Sequence, residues 1–182
     1  MAKVLDVANF FIDIANTAED DCITNLRVNK LLYFAQAWSL VRLGKPLFEE
    51  DFQAWKFGPV VPSIYQEFKD YGKNNIDSVK GDYSIDSFTE DELDLLMDVL
   101  REYGQYSSPA LVDITHGVGT PWAKVFKDRA NNVISKESME DYFEKKEPLK
   151  SFYDNIAEGE FVGYRDPEDG LLVLPADMDD AE

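Results

Sequence analysis

The chain has 182 residues, enough for one domain with a substantial core, and 45% of them are hydrophobic, as in a folded globular protein. Acidic residues outnumber basic residues by 36 to 18, and the resulting net charge of −18 argues against binding to nucleic-acid phosphates. A single cysteine, Cys22, excludes an intramolecular disulfide. Charges interrupt the apolar N-terminus, and no apolar window is long enough to cross a bilayer. The sequence therefore predicts a cytoplasmic protein without a membrane partner.

Two helices are predicted in the N-terminal quarter of the chain. Apolar residues recur at steps of three and four from Val4 to Ala15, which indicates an amphipathic helix with Asn9 off the apolar stripe. Thr24 is a suitable N-cap for a second helix that is apolar on nearly every side. Arg42 and Gly44 are typical of a helix C-terminus. We expect this second helix to lie at the centre of the fold.

A short strand is predicted next. Aromatic and polar residues alternate from Phe52 to Phe57, as in a half-buried strand that Gly58-Pro59 would end. By strand alternation, Lys56 would point to the face opposite its two aromatic neighbours. Pro62 is suited to the first position of a third helix, because its missing N–H would be unsatisfied there anyway.

The middle of the chain is predicted to be helical after a polar loop at 73–87. Thr89 and Glu92 have the spacing of a capping box, and Gly104 would end the helix that follows. Three shorter helices are predicted to start at Ser108-Pro109, at Thr120-Pro121 and at Ser135. The predicted fold class is therefore mainly α, a compact helical domain with a short β element and an acidic C-terminal tail.

The acidic tail differs in composition from the rest of the chain. After Lys150, ten of the chain's acidic residues are opposed by one arginine. Two apolar segments within 161–174 could pair as a hairpin, and disorder is expected beyond Pro175. We therefore predict a helical domain at residues 1–150 and an acidic extension at residues 151–182.

Motifs for catalysis are missing from the sequence. His116 is the only histidine, so one cysteine and one histidine cannot build a zinc site with several thiolate or imidazole ligands. A Gly-x-Ser-x-Gly nucleophile motif, a phosphate-binding glycine loop and His-Glu-x-x-His are also absent. Acidic residues are abundant, but their spacing gives no signal for a magnesium or hydrolytic site. The sequence predicts a protein that is not an enzyme and that uses no metal or cofactor.

Residues beside the Gly58-Pro59 turn are the candidates for partner contact. Trp55, Phe57 and Tyr65 can either pack inward or serve as interface anchors. Lys30 and Lys56 are candidate exposed basic positions on an acidic protein, with salt bridges to neighbouring carboxylates as the more ordinary use. Together with Gly58 and Pro59, these residues form the predicted binding site.

His116 and Trp122 are a further candidate pair. The preferred interpretation is structural: the His116 ring hydrogen-bonds backbone carbonyls or caps a helix end beside Trp122. Partner recognition by the two rings is the alternative. Trp38, on the central helix, is predicted to be core.

Four motif pieces occur in order between Val4 and Phe143. They are Asn29–Trp38, Ala54–Tyr65, Thr115-His116 and Pro121-Trp122. This arrangement resembles the Panacea antitoxin domain, which includes the phage-associated GepA-like proteins and the SocA-like antitoxins. The acidic tail lies outside the resemblance.

The resemblance implies the antitoxin of a type II system, which neutralises a cognate protein toxin by direct binding. The negative charge of the chain would favour a toxin with a basic cleft. SocA-like members imply one alternative, a proteolytic adaptor that delivers the toxin to an ATP-dependent protease. A phage or prophage accessory protein that binds another host factor is a further alternative. Autoregulation through nucleic-acid binding is disfavoured, because no basic recognition helix is visible.

Overall fold

The structure is a computed structural model that describes residues 1–17 and 23–151 and the backbone of two short strands beyond them. The helices are α1 Val4–Thr17, α2 Asn25–Leu43, α3 Pro62–Glu67, α4 Glu90–Tyr103, α5 Ser108–His116, α6 Pro121–Val125 and α7 Lys136–Phe143. The strands are β1 Phe52–Trp55, β2 Gly58–Val60, β3 Val133–Ile134, β4 Tyr164–Arg165 and β5 Leu172–Val173. The described chain is mainly helical with a small sheet, which confirms the predicted fold class.

The chain divides into two compact units, Met1–Leu149 and Lys150–Glu182. In the second unit, β4 and β5 pair antiparallel, and both lie within residues 161–174, where a hairpin is predicted. The turn between these strands and the end beyond Pro175, predicted to be disordered, lie outside the described residues. Cys22 lies outside them as well.

Helix α2 is the centre of the first unit. Fourteen of its 19 residues are buried, and it packs most extensively against α4, α7 and α1. The Thr24 hydroxyl accepts a hydrogen bond from the Arg27 backbone N–H at 3.3 Å, and Gly44 ends the helix at φ +64°. The predicted cap, stop and central position are therefore confirmed. None of the helices in the described ranges is both long and apolar enough to cross a membrane.

Buried polar side chains of α2 form hydrogen bonds with the backbone of residues 45–48, which lead into the sheet. The Gln36 amide oxygen accepts from the backbone N–H groups of Leu47 and Phe48, and its nitrogen donates to the Phe48 carbonyl at 3.0 Å. The Ser39 hydroxyl donates to the Lys45 carbonyl at 2.8 Å. Each of these hydrogen bonds satisfies a polar group that burial has removed from water. Together they hold the segment before β1 in a fixed position.

Asn9 departs from the simple helical wheel of α1. It is fully buried, donates to the Lys80 carbonyl at 2.7 Å and accepts from the Lys80 N–H at 2.9 Å. The prediction placed Asn9 off the apolar stripe, whereas the structure packs a loop over that side of the helix. A buried asparagine with both amide atoms satisfied by one backbone unit anchors that loop.

The sheet in the first unit has the order β2-β1-β3, and both pairs are antiparallel. Trp55 ends β1 and pairs with Gly58, so the two residues between them form the hairpin turn. The prediction that Gly58-Pro59 ends the strand is wrong, because these residues open β2. Strand β3 was not predicted, since two residues are too few to show a period.

Local sequence signals locate the remaining helices correctly. The Thr89 hydroxyl accepts from the Glu92 N–H, and the Glu92 carboxylate accepts from the Thr89 N–H, which confirms the capping box of α4. Thr120 and Ser135 cap α6 and α7, and Ser107 caps α5. One single-turn 3-10 helix, Lys69–Tyr71, precedes the polar loop, and a second, Ile85–Ser87, lies at its end.

Candidate protein-interaction site

The β1–β2 turn presents an aromatic surface, which we call the hairpin tip: Trp55, Lys56, Phe57 and Tyr65. Phe57 is 59% exposed, and the Lys56 ammonium lies 5.6 Å from the centre of its ring. The half-buried Trp55 ring contacts the ring of Tyr65 edge-on, at 4.9 Å between centres. Strand alternation does not apply to Lys56, because Lys56 and Phe57 are turn residues and both are exposed.

Lys30 lies behind this turn and not on the surface. Its side chain is fully buried, and its ammonium nitrogen donates to the Pro59 carbonyl at 2.9 Å. Gly58 packs directly against it: a Cβ at Gly58 would lie 2.6 Å from Lys30 Cε and 2.8 Å from Thr115 Oγ1. The prediction of an exposed Lys30 is therefore wrong, and a direct contact between Lys30 and a partner is not supported.

The environment of Lys30 changes its protonation. Burial lowers the pKa of the Lys30 amine to about 7. No carboxylate in the described part of the chain forms an ion pair with it. The sequence did contain a signal for this burial, because a helix that is apolar on nearly every side has no exposed face for a lysine in its first half.

His116 and Trp122 lie at the base of the β1–β2 hairpin, beside Trp55. Their rings stack at 3.6 Å between centres with an angle of 7°, and the Trp122 indole N–H donates to the Trp55 carbonyl at 2.9 Å. The predicted hydrogen bond from the His116 ring to a carbonyl is not made at Nε2, which is buried and has no partner within the described ranges. The Thr120 hydroxyl, not the histidine, donates to the Thr115 carbonyl at the end of α5.

The pKa of His116 is lowered by burial first and by the nearby Lys30 second, while Asp113 opposes both effects. The ring is therefore neutral at pH 7. A neutral ring stacks on Trp122 without carrying a second positive charge into the region of Lys30.

The four motif pieces meet in one place. The Asn29 side-chain oxygen accepts from the Val61 N–H at 2.9 Å, so α2 holds the residue after β2 as well as Pro59. We call the set of buried or half-buried motif residues around β2 the motif cluster; it consists of Asn29, Lys30, Gly58, Pro59, Thr115, His116 and Trp122. Its hydrogen bonds and stacking fix the base of the hairpin from three helices.

The nine residues predicted to contact a partner thus fall into two groups. Trp55, Lys56, Phe57 and Tyr65 form the hairpin tip, whereas Lys30, Gly58, Pro59, His116 and Trp122 belong to the motif cluster. The first group is accessible and the second positions it. Contact between the hairpin tip and a partner stays a prediction.

A cavity that sequence reasoning missed lies between α2, α4, α5 and α7, and its lining includes Thr115 of the motif cluster. It has a volume of about 400 Å³. We call it the aromatic groove; its rings are those of Tyr33, Phe34, Trp38, Tyr103, Tyr142 and Phe143. The helical pattern of the sequence predicts each of these residues to be a core position of α2, α4 or α7. The cavity becomes visible only when the three helices are assembled in the fold.

An exposed aromatic turn whose base is held by hydrogen bonds can serve as an interface anchor. In the described ranges, no group of three His, Cys, Asp or Glu side chains could hold a metal ion.

A family model described as "Antitoxin SocA-like, Panacea domain" matches residues 28–123, the range that holds all four motif pieces. The chain is also 37% identical over 137 residues to Antitoxin SocA of Caulobacter vibrioides (strain NA1000 / CB15N), across 70% of this chain and 72% of that protein.

The chain therefore belongs to the SocA-like Panacea antitoxin family. No solved structure matches it.

Proposed function

We propose that this chain is the antitoxin of a type II toxin-antitoxin system and that it neutralises a cognate protein toxin by direct binding through the hairpin tip. Membership in an antitoxin family supports the antitoxin role and, in general terms, a toxin partner. The observation that carries the surface assignment is the exposure of Phe57, 59%, on a turn of two residues.

The hairpin tip has the physical properties of an interface anchor. Aromatic residues dominate the free energy of protein interfaces when their geometry is fixed before binding, because little conformational entropy is then lost. The motif cluster supplies that rigidity through the bonds from Lys30 to Pro59 and from Trp122 to Trp55. Lys56 adds one exposed positive charge to this surface of a chain whose net charge is −18.

The chain charge also indicates the chemistry of the toxin. A charge of −18 accelerates association with a basic surface, and a toxin that acts on RNA or nucleotides would carry such a surface in its cleft. Neutralisation of this kind requires binding and no chemical step, in agreement with a regulator that is not an enzyme.

A co-expression growth assay tests the proposal. The gene encoded beside this one is induced alone and then with the antitoxin, in hosts with and without their main ATP-dependent protease. We expect growth to be restored in both hosts. Relief only where the protease is present would replace sequestration by delivery to a protease, and a harmless neighbour gene would favour the accessory-protein alternative.

Matched variants test the surface. Phe57→Ala and Lys56→Glu should reduce neutralisation at least about tenfold in the toxin dose tolerated, since hot-spot truncations cost about 2 kcal/mol or more. Met97→Ala removes another exposed apolar side chain, on α4, and Lys73→Glu reverses another exposed lysine. If these controls reduce neutralisation as much as the hairpin variants do, the hairpin tip is not the contact surface.

A further inference from the structure

The lysine at the base of the hairpin is a buried titratable group that contact through the hairpin tip does not use. Lys30 is 0% exposed, and its terminal nitrogen donates to the Pro59 carbonyl at 2.9 Å. No carboxylate in the described part of the chain forms an ion pair with it. A charged amine that is removed from water and has no counter-ion is strongly destabilised. The buried position of Lys30 therefore favours the neutral amine.

Strand β2 is the element that lies against Lys30. A Cβ at Gly58 would lie 2.6 Å from Lys30 Cε, so the strand and the lysine stem are in direct contact. Phe57, the residue before Gly58, is 59% exposed on the other side of the turn. A displacement of the hairpin away from α2 would therefore bring water to the amine.

The hairpin is small, and single hydrogen bonds hold it against the helices. β1 has four residues and β2 has three, and a two-stranded hairpin is only marginally stable by itself. Besides the bond from Lys30 to Pro59, the Asn29 side-chain oxygen accepts from the Val61 N–H at 2.9 Å, and Trp122 donates to the Trp55 carbonyl. A change at Lys30 therefore acts directly on the position of β2.

The elements around Lys30 supply no compensating charge. β2 contains no titratable residue. On α5, His116 has a pKa that is lowered by burial first and by Lys30 second, while Asp113 opposes both effects. His116 is therefore neutral above pH 7. The other titratable groups on neighbouring elements are exposed to solvent: Lys56 of the turn, Tyr65 and Glu67 of α3, and Lys124 of α6.

We propose that proton uptake by Lys30 displaces the β1–β2 hairpin from α2, so that partner binding through the hairpin tip weakens as the pH falls. The inference rests on the proposed function for the role of the hairpin tip in binding. In the displaced position, which we call the open hairpin, the ammonium of Lys30 is hydrated. The aromatic residues of the tip then lose the fixed geometry that limits the entropy cost of binding.

The direction of the pH dependence follows from the proton affinity of Lys30 in the two positions. Burial lowers the pKa of Lys30 to about 7 in the closed hairpin, whereas a hydrated lysine has its ordinary value of 10.5. Between these values the open hairpin binds more protons. The equilibrium constant for opening should therefore rise about tenfold for each pH unit of acidification from pH 9 to 7.5. Below pH 7 Lys30 is protonated in both positions, and the opening constant levels off.

Amide hydrogen exchange of the full-length protein tests the opening without a toxin. The reporter is the Val61 N–H, whose bond to Asn29 breaks when β2 moves away from α2. Lys30→Met keeps a long unbranched side chain but takes up no proton. The ratio of the Val61 exchange rates, wild type over Lys30→Met, cancels the effect of pH on the chemical exchange step. We expect this ratio to fall about thirtyfold between pH 7.5 and 9.

Lys73→Met is the matched control, because it removes an exposed lysine and should leave the exchange of Val61 as in the wild type at every pH. A ratio that stays constant with pH would overturn the proposal, since opening would then take up no proton. The proposal also fails if Val61 exchanges as slowly as the slowest amides of α2, because the hairpin would then open only in global unfolding.

Binding of the neighbouring gene's product connects the opening to the partner. The ratio of its affinities for wild type and Lys30→Met should fall at least about threefold from pH 8.5 to 7, because only the closed hairpin is competent to bind. An affinity ratio that does not change would overturn the link to binding. Constant Val61 exchange ratios with neutralisation intact would remove this inference and leave the antitoxin proposal standing. Proton-coupled exchange in a chain that neutralises no neighbouring toxin would instead remove the proposed function and leave the opening of the hairpin.

Discussion

At the scale of single residues, Lys30 has the most perturbed environment in the motif cluster. Lysine is among the residues that are almost never fully buried without a charged partner, yet Lys30 is 0% exposed and meets the Pro59 carbonyl. Its position between α2 and the hairpin means that its aliphatic stem fills the space that Gly58 leaves open. The amine fixes β2, and the resulting desolvation lowers its pKa.

The free energy of unfolding should show this burial as a pH dependence. The pKa of Lys30 is about 7 in the folded chain and near 10.5 when unfolded, so between these values the unfolded chain binds more protons. Stability attributable to Lys30 therefore increases as the pH rises from 7 and is lower at pH 7 and below. Relative to Lys30→Met, the wild type should gain about 3 kcal/mol between pH 7 and 9.5.

Urea unfolding of the two proteins across that range measures the difference, in which contributions from all other titrating groups cancel. His116 adds nothing above pH 7, because its lowered pKa leaves it neutral there. Parallel stability curves for wild type and Lys30→Met would show that Lys30 keeps an ordinary pKa, and would contradict the burial.

At the scale of elements, the β1–β2 hairpin depends on one glycine. Lys56 and Phe57 have negative φ, so the turn is not of the mirror-image type, and Gly58 at φ +101° takes the left-handed step that follows. Only glycine adopts such a conformation without strain, and only glycine leaves room for Lys30. Two independent requirements thus converge on this position.

A paired substitution separates these two requirements. Gly58→Ala should lower the free energy of unfolding by about 3 kcal/mol, from backbone strain together with the clash against Lys30. Gly119→Ala is the control, because Gly119 also has positive φ, +80°, but no atom lies within 4 Å of the added Cβ. It should cost only about 1 kcal/mol.

Urea denaturation of both variants gives the comparison. Equal losses would mean that backbone strain alone explains Gly58 and that the contact with Lys30 yields readily. A larger loss at Gly58, with reduced neutralisation in the growth assay, would connect the geometry of the hairpin to binding.

The elements also show how far sequence reasoning reaches. Caps at Thr24, Thr89 and Ser135 and the stop at Gly44 were predictable, because each involves residues a few positions apart. The contact of Lys30 with Pro59 and the pairing of β3 with β1 depend on residues far away in the chain, so no local pattern encodes them. Of the site, the sequence singled out the residues around Gly58-Pro59 as candidates, whereas their division into an exposed tip and a buried support depends on contacts between distant segments.

At the scale of the whole molecule, the net charge of −18 lowers the stability of the folded chain but accelerates association with a basic partner. Like charges repel one another in the folded chain, and salt screens that repulsion. The melting temperature should therefore rise by roughly 5 °C between 10 and 300 mM NaCl, as expected for a gain of about 2 kcal/mol in a chain of this length.

Calorimetry at pH 7 measures this shift, and the same salt series at pH 5, nearer the isoelectric point of about 4.3, is the control in which the rise should become small. A melting temperature that falls with salt at pH 7 would mean that attractive ion pairs outweigh the repulsion. Association with a basic toxin should respond in the opposite sense, because salt screens the attraction that steers the encounter. Slower association at a salt concentration where the antitoxin is more stable would therefore identify electrostatic steering, since partial unfolding could not explain it.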